Sequence, residues 1–138
     1  MKRLGLIGGR TSAAPAWYWK TIQDEARRSM GDEGPAEVLV HSSHAGRLRA
    51  ALKINDWTSI TEEMLGAGES LVRAGAECLV ICGSALNPVS ADIRRELDIP
   101  LIDLAHAMSF KIQNYRFRRV SLLCVHTERE RAMWRDLF

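Results

Sequence analysis

Short apolar runs alternate along the chain with longer stretches in which apolar residues return every three or four positions. The first run, Arg3-Leu4-Gly5-Leu6-Ile7, ends in Gly8-Gly9. Tyr18, Ile22, Ala26 and Met30 then recur at helical spacing, and Pro15 suits the first turn of that helix. Residues 31–35 are turn-forming, and 36–41 (Ala-Glu-Val-Leu-Val-His) predict a second, buried strand. Ile60, Met64, Ala67, Leu71 and Ala74 give the next helix one apolar face. Ser59 and Glu62 fit a capping box for it, and Gly75 stands where a C-terminal glycine belongs. A third strand is expected over 77–82 (Glu-Cys-Leu-Val-Ile-Cys). The loop 83–86 then leads to a helix beginning at Pro88, capped by Asn87, with Val89, Ile93 and Leu97 on one face. A short fourth strand falls at 99–102, and Leu104, Met108 and Ile112 mark a helix capped by Asp103. Residues 119–125 predict a fifth strand. Thr127 with Glu130 fits a capping box for a helix reaching Phe138.

Strands that alternate with helices and are apolar on both faces imply an α/β fold: a parallel βαβ sheet with helices on both faces. The 138 residues, 46% hydrophobic and 26% charged, suffice for a core of that kind. A net charge of +2 gives no argument for nucleic acid. Arg129, Arg131 and Arg135 also lie among Glu128, Glu130 and Asp136, as on a solvated helix face. No apolar run approaches the ~20 residues that span a bilayer, so no membrane partner is expected. Gly8-Gly9 interrupts the apolar start too early for a signal peptide. Cys78, Cys82 and Cys124 are odd in number and sit in strand-like runs. They form no disulfide framework, and a reducing, cytoplasmic setting is expected. No second Cys or His pair accompanies them at zinc spacing, so no metal is expected.

In sheets of this type ligands bind at the carboxyl ends of strands. Three segments qualify: Gly8-Gly9-Arg10-Thr11-Ser12, His41-Ser42-Ser43-His44, and Cys82-Gly83-Ser84. The first opens a helix, where backbone N–H groups can hold a carboxylate or phosphate. Its glycine spacing fits neither a dinucleotide fingerprint nor a P-loop, and a simple tight turn also explains it. Cys82 ends a buried strand just before a helix start, where the helix dipole favours thiolate. An inert strand cysteine fits the same position, and spacing alone leaves both readings open. Cys124 is a weaker candidate of the same kind. His106 and His126 read as surface or capping residues.

Several segments together resemble the aspartate/glutamate racemases. They are 1–9 (Met-Lys-Arg-Leu-Gly-Leu-Ile-Gly-Gly), Tyr18 with its aromatic neighbours, Asp56-Trp57, and 74–82 (Ala-Gly-Ala-Glu-Cys-Leu-Val-Ile-Cys). Asp92-Ile93, 98–102 and 119–123 continue the likeness in register. It implies a cofactor-independent isomerase in which two cysteines on opposite faces of the substrate Cα act as base and acid, with Cys82 in the place of the first. Inversion needs both, because a proton removed from one face must be returned to the other. The resemblance further implies a small amino acid or dicarboxylate as partner. Arg10, Thr11, Ser12, Arg47, Gly83, Ser84 and Asn87 are expected to bind it, although the register puts Leu48 rather than Arg47 or Arg49 at the usual arginine position. The polar residues that commonly follow the first cysteine are replaced here by Gly83-Ser84-Ala85-Leu86. No Gly-Cys-Thr-Glu motif for a second cysteine follows. Residues 1–102 are accordingly expected to form the first racemase-like domain and 103–138 the truncated start of a second. Trp134, Leu137 and Phe138 are expected to be left uncovered, which favours a homodimer. A non-catalytic carboxylate-binding or protein-binding relative, and an unrelated flavodoxin-like domain, stand as the alternatives.

Overall fold

The computed structural model describes residues 2–31, 34–123 and 127–137. Four parallel strands, β1 (Leu4–Gly8), β2 (Val38–Ser42), β3 (Cys78–Cys82) and β4 (Leu101–Ile102), lie in the order β2-β1-β3-β4. Around them pack α1 (Ala13–Met30), α2 (Ala45–Lys53), α3 (Trp57–Arg73), α4 (Ser90–Glu96), α5 (Leu104–Asn114) and α6 (Glu128–Leu137). The parallel α/β architecture expected from the alternation is therefore present.

Strand periodicity divides the core in two. Ile7, Leu79 and Ile81 face the larger layer, built from Leu48 of α2, Ile60, Met64, Ala67 and Leu71 of α3, and Ile93 of α4. Leu6, Val80 and Cys82 face the other way, onto Ala14, Tyr18 and Ile22 of α1. Gly5 is required where α3 crosses β1, since a Cβ there would lie 2.9 Å from Leu79 and 3.1 Å from Leu71.

The helix ends carry most of the differences from expectation. Asp56, not Ser59, caps α3: its carboxylate accepts from the Ser59 N–H at 3.1 Å and from the Ser59 hydroxyl at 2.6 Å. The glycine stop is as expected, with Gly75 at φ 94°. Asp103 caps α5 by accepting from the His106 N–H at 2.8 Å. At α6 the reciprocal box forms, Glu130 N–H donating to Thr127 Oγ1 at 3.1 Å and Thr127 N–H to Glu130 at 3.2 Å.

Asn87 caps nothing. It lies inside a 3-10 turn, Ser84–Val89, which precedes α4, and it is fully buried. Helix α2 was unforeseen: its single buried residue, Leu48, is too little for a periodic signal. Residues 119–123 form no strand. They are exposed, and no described strand lies beside them to complete a ladder. The remainder of that expected strand, with Cys124, His126 and Phe138, lies outside the described residues. Trp134 is buried rather than uncovered. Helix α6 folds back onto the domain, with Arg129 paired to Asp92 at 3.0 Å and lying 5.1 Å from the centre of the Trp57 ring.

Candidate functional site

The strand order fixes where a ligand can enter. The chain leaves β1 toward β2 on one side, while β3 lies on the other. The loops at their carboxyl ends therefore diverge and leave a crevice. Gly8 and Cys82 are register partners at the last position of β1 and β3, so the two loops rise from the same level. Between them is a cleft of about 250 Å3, lined by Arg10, Thr11, Ala14, Cys82, Gly83, Ser84, Ala85 and Leu86.

Local backbone chemistry shapes both walls. Gly83 adopts φ 122°, a conformation that side chains with a Cβ rarely take, and this turns the chain sharply after Cys82. A Cβ on Gly9 would lie 2.2 Å from Leu86 Cδ1, so glycine there lets the β1 loop and the 3-10 turn close against each other. Arg49 of α2 donates to the Arg10 carbonyl at 3.2 Å and anchors the β1 loop from the side. A second cavity of about 370 Å3 shares Arg10 and Ala85 with the cleft and adds Arg49, Lys53, Thr127 and Glu130. Neither Arg10 nor Lys53 makes an ion pair among the described residues.

Five of the expected site residues, Cys82, Arg10, Thr11, Gly83 and Ser84, are thus brought together. Three are placed elsewhere. Ser12 sits at the N-cap of α1, is exposed, and makes no capping bond through its side chain. Arg47 is turned to Glu63 of α3, at 3.2 Å. Asn87 follows the cleft-lining Leu86 in the chain and is buried, neither of its amide atoms meeting a partner among the described residues. The 41–44 segment spends only part of its polar groups internally, since His41 Nδ1 and Ser43 Oγ are buried with no hydrogen-bond partner among the described residues. His44 Nδ1 accepts from the Arg47 N–H at 3.2 Å, and the Ser43 N–H donates to the Gly8 carbonyl at 3.2 Å.

Burial dominates the electrostatics of Cys82. The residue is 3% exposed, and desolvation pushes its thiol up to about 12. The expected acidification by a helix N-terminus is overruled, because a 3-10 turn follows the strand and the sulfur faces Leu6, Val80 and α1. Burial raises the Tyr18 phenol, and a Cys82 thiolate would add a smaller push in the same direction. Arg49, Lys53 and Tyr18 were not among the expected site residues. The first two are carried by the unforeseen α2, so their approach to Arg10 left no mark in the sequence pattern.

The sequence pattern that defines the Asp/Glu/hydantoin racemases matches residues 4–138. The chain belongs to that family. Among solved structures it is similar to a candidate Asp/Glu racemase from Yersinia pestis, at 28% identity and a TM-score of 0.80. That match covers 84% of this chain and 50% of the other. It also shares its fold with an aspartate racemase homologue from Pyrococcus horikoshii OT3, at 23% identity and a TM-score of 0.75, covering 83% and 50%. The chain spans about half the length of these solved relatives. As a racemase-family member it has a racemase-like isomerase fold. Among the described residues, no helix is long and apolar enough to cross a membrane.

Proposed function

We propose that this chain carries one face of a cofactor-independent amino-acid racemase site, with Cys82 as the acid/base group. The observation that carries the reading is the single cleft that joins Cys82 to the Arg10–Thr11 and Gly83–Ser84 loops at the β1/β3 switch point. Arg10, without an ion-pair partner among the described residues, suits the α-carboxylate of a small amino acid, and the adjoining cavity, where Arg49 and Lys53 outnumber Glu130, suits a second carboxylate. In the chemical step the Cys82 thiolate takes the α-proton, and the electron pair of the Cα–H bond moves into the carboxylate. The cation beside the carboxylate stabilises that developing charge. Reprotonation from the other face needs an acid, and none lines this cleft among the described residues, so Cys82 alone would return a proton to the side it came from.

Burial sets a condition on that chemistry. A thiol at about 12 is protonated at neutral pH and serves first as an acid. To serve as a base it must be lowered on binding, and the ammonium group of a zwitterionic substrate is a charge of the right sign. In this reading residues 1–102 form the first racemase-like unit and 103–138 open a second, in keeping with the half-length match to the solved relatives. The free, buried thiols suit a cytoplasmic setting.

The test is exchange of the α-proton of L-aspartate and L-glutamate in D2O, followed by NMR together with optical rotation. Exchange without inversion is expected, and Cys82→Ala should abolish it. Exchange that survives Cys82→Ala would remove Cys82 from the mechanism, and inversion by the chain alone would refute the one-face reading. A second reading, a carboxylate binder without catalysis, draws on the high position of the resting thiol. It is identified by saturable ligand binding with no exchange.

A further inference from the structure

We propose that the 3-10 turn Ser84–Val89 is a gate on the Cys82 cleft, which opens by turning the Asn87 amide out of the interior and onto a bound carboxylate. The inference rests on the proposed function in one respect only, that the cleft receives a carboxylate.

Asn87 is the anomaly. It is 0% exposed, and neither its amide oxygen nor its amide nitrogen has a hydrogen-bond partner among the described residues. No water-sized space adjoins it, so an ordered water does not supply the missing bonds. Burial this complete within the chain also puts the amide beyond the reach of any other polypeptide. A leucine has the same branched shape and would fill the place without leaving polar atoms unpaired. The unpaired amide is therefore a store of unfavourable free energy, released only when the turn itself moves.

The turn is built to move. Its 3-10 geometry gives poorer hydrogen bonds than an α-helix, and Pro88 contributes no N–H at all. Neither the turn nor α4, which follows directly, has a side-chain cap at its start. Gly83, at the head of the turn, holds φ 122°, and a Cβ placed there would meet nothing within 4 Å, so the hinge is unobstructed. Val89, in the larger core layer, anchors the far end.

What holds the gate shut is Leu86, which is 2% exposed and sits against Gly9. Ser84, Ala85 and Leu86 line the cleft, and Asn87 comes next in the chain. Successive residues of a 3-10 turn stand about 120° apart. A third of a turn thus lifts Leu86 from Gly9 and brings the Asn87 amide into its place, in a cleft that already holds Arg10 and Thr11. The amide N–H then donates to a carboxylate oxygen. That bond exists only in the open form, so the ligand shifts the turn toward it.

Hydrogen exchange read by mass spectrometry, on the 138-residue wild type and on Asn87→Leu, tests the gate without ligand. In the wild type the 83–90 peptide should exchange through a local opening, at a rate that low urea does not change. In Asn87→Leu it should exchange at least ~tenfold more slowly, because the reason to open is gone. Calorimetry with L-aspartate and with succinate should give a Kd at least ~tenfold weaker for the variant. Circular dichroism monitors the fold, and Asn87→Val stands in if the leucine variant does not fold. A wild-type turn that opens only with global unfolding, equal exchange in the two proteins, or equal Kd values would each overturn the gate. A wild type that binds neither compound would overturn the carboxylate in both readings, and the exchange arm separates that failure from a failure of the gate.

Discussion

Raising the pH across the titration of Cys82 should reveal how strongly the fold suppresses that thiol. Its sulfur sits between Leu6, Val80 and α1, and desolvation moves it from 9.0 to about 12. At any pH below 9 its thiolate fraction is then about a thousandfold lower than that of an exposed cysteine. Alkylation with iodoacetamide between pH 7.5 and 10.5, read by peptide mapping, should show Cys82 reacting about a thousandfold more slowly than a model thiol below pH 9, the gap narrowing above it as the model thiol saturates. Its rate should climb about tenfold per pH unit throughout. The same shift has a consequence for stability. An unfolded thiol loses its proton near 9 while the folded one keeps it, so the contribution is whole below pH 9 and declines from there toward pH 12. Three units correspond to roughly 4 kcal/mol at the far end. Denaturant midpoints for the wild type should fall over that window relative to Cys82→Ala. Alkylation of Cys82 at pH 7.5 within tenfold of a model thiol, or equal alkaline losses in both proteins, would refute the reasoning.

Three further outcomes follow from the packing. Burial alone would raise the Asp103 carboxyl, but the His106 N–H, the Arg94 guanidinium, the His106 ring and the Ser90 hydroxyl together hold it below its usual value. Its contribution is thus present above the unfolded value of 3.8 and lost as pH falls through the folded one. Asp103→Ala should cost about 3 kcal/mol near neutrality, measured by urea unfolding, and the difference from wild type should shrink in acid. Gly9→Ala should drive Leu86 out of place, destabilise the chain by ~1–3 kcal/mol, and weaken carboxylate binding in calorimetry. Asn87→Leu removes a buried amide that lacks partners among the described residues and should raise the thermal midpoint, by an amount equivalent to ~1–2 kcal/mol.

What the sequence reveals here depends on how much of each element is buried. Strand β3 is buried along its whole length, and α3 turns Ile60, Met64, Ala67 and Leu71 into one core. Both were legible from periodicity. Helix α2 buries only Leu48, and its polar remainder reads as loop. The strand expected at 119–125 has the right composition, but a strand needs a neighbour, and no described strand lies next to 119–123. Capping residues were legible where the side chain sits three residues before the N–H that donates to it, as at Asp103 and Thr127. The pattern at Ser59 misled because Asp56 offers a carboxylate one turn earlier. The cleft was half legible. Strand ends gave Arg10, Thr11 and Cys82, whereas the orientation of Arg47 toward Glu63 depends on a tertiary contact that no local pattern encodes.

The register between Gly8 and Cys82 also sets a limit on selectivity. Neighbouring parallel strands stand ~4.8 Å apart, and that spacing belongs to the backbone, not to any side chain. The two loops that wall the cleft therefore spring from strand ends a constant distance apart, a spacing that would suit the core shared by all α-amino acids if the proposed ligand is one. On the proposed function, discrimination between ligands would be exercised higher up, where Arg10 and Ala85 border both cavities. Exchanging Ala85 for larger or charged residues is thus the economical route to a new substrate preference, because it alters the rim and leaves the strand spacing untouched.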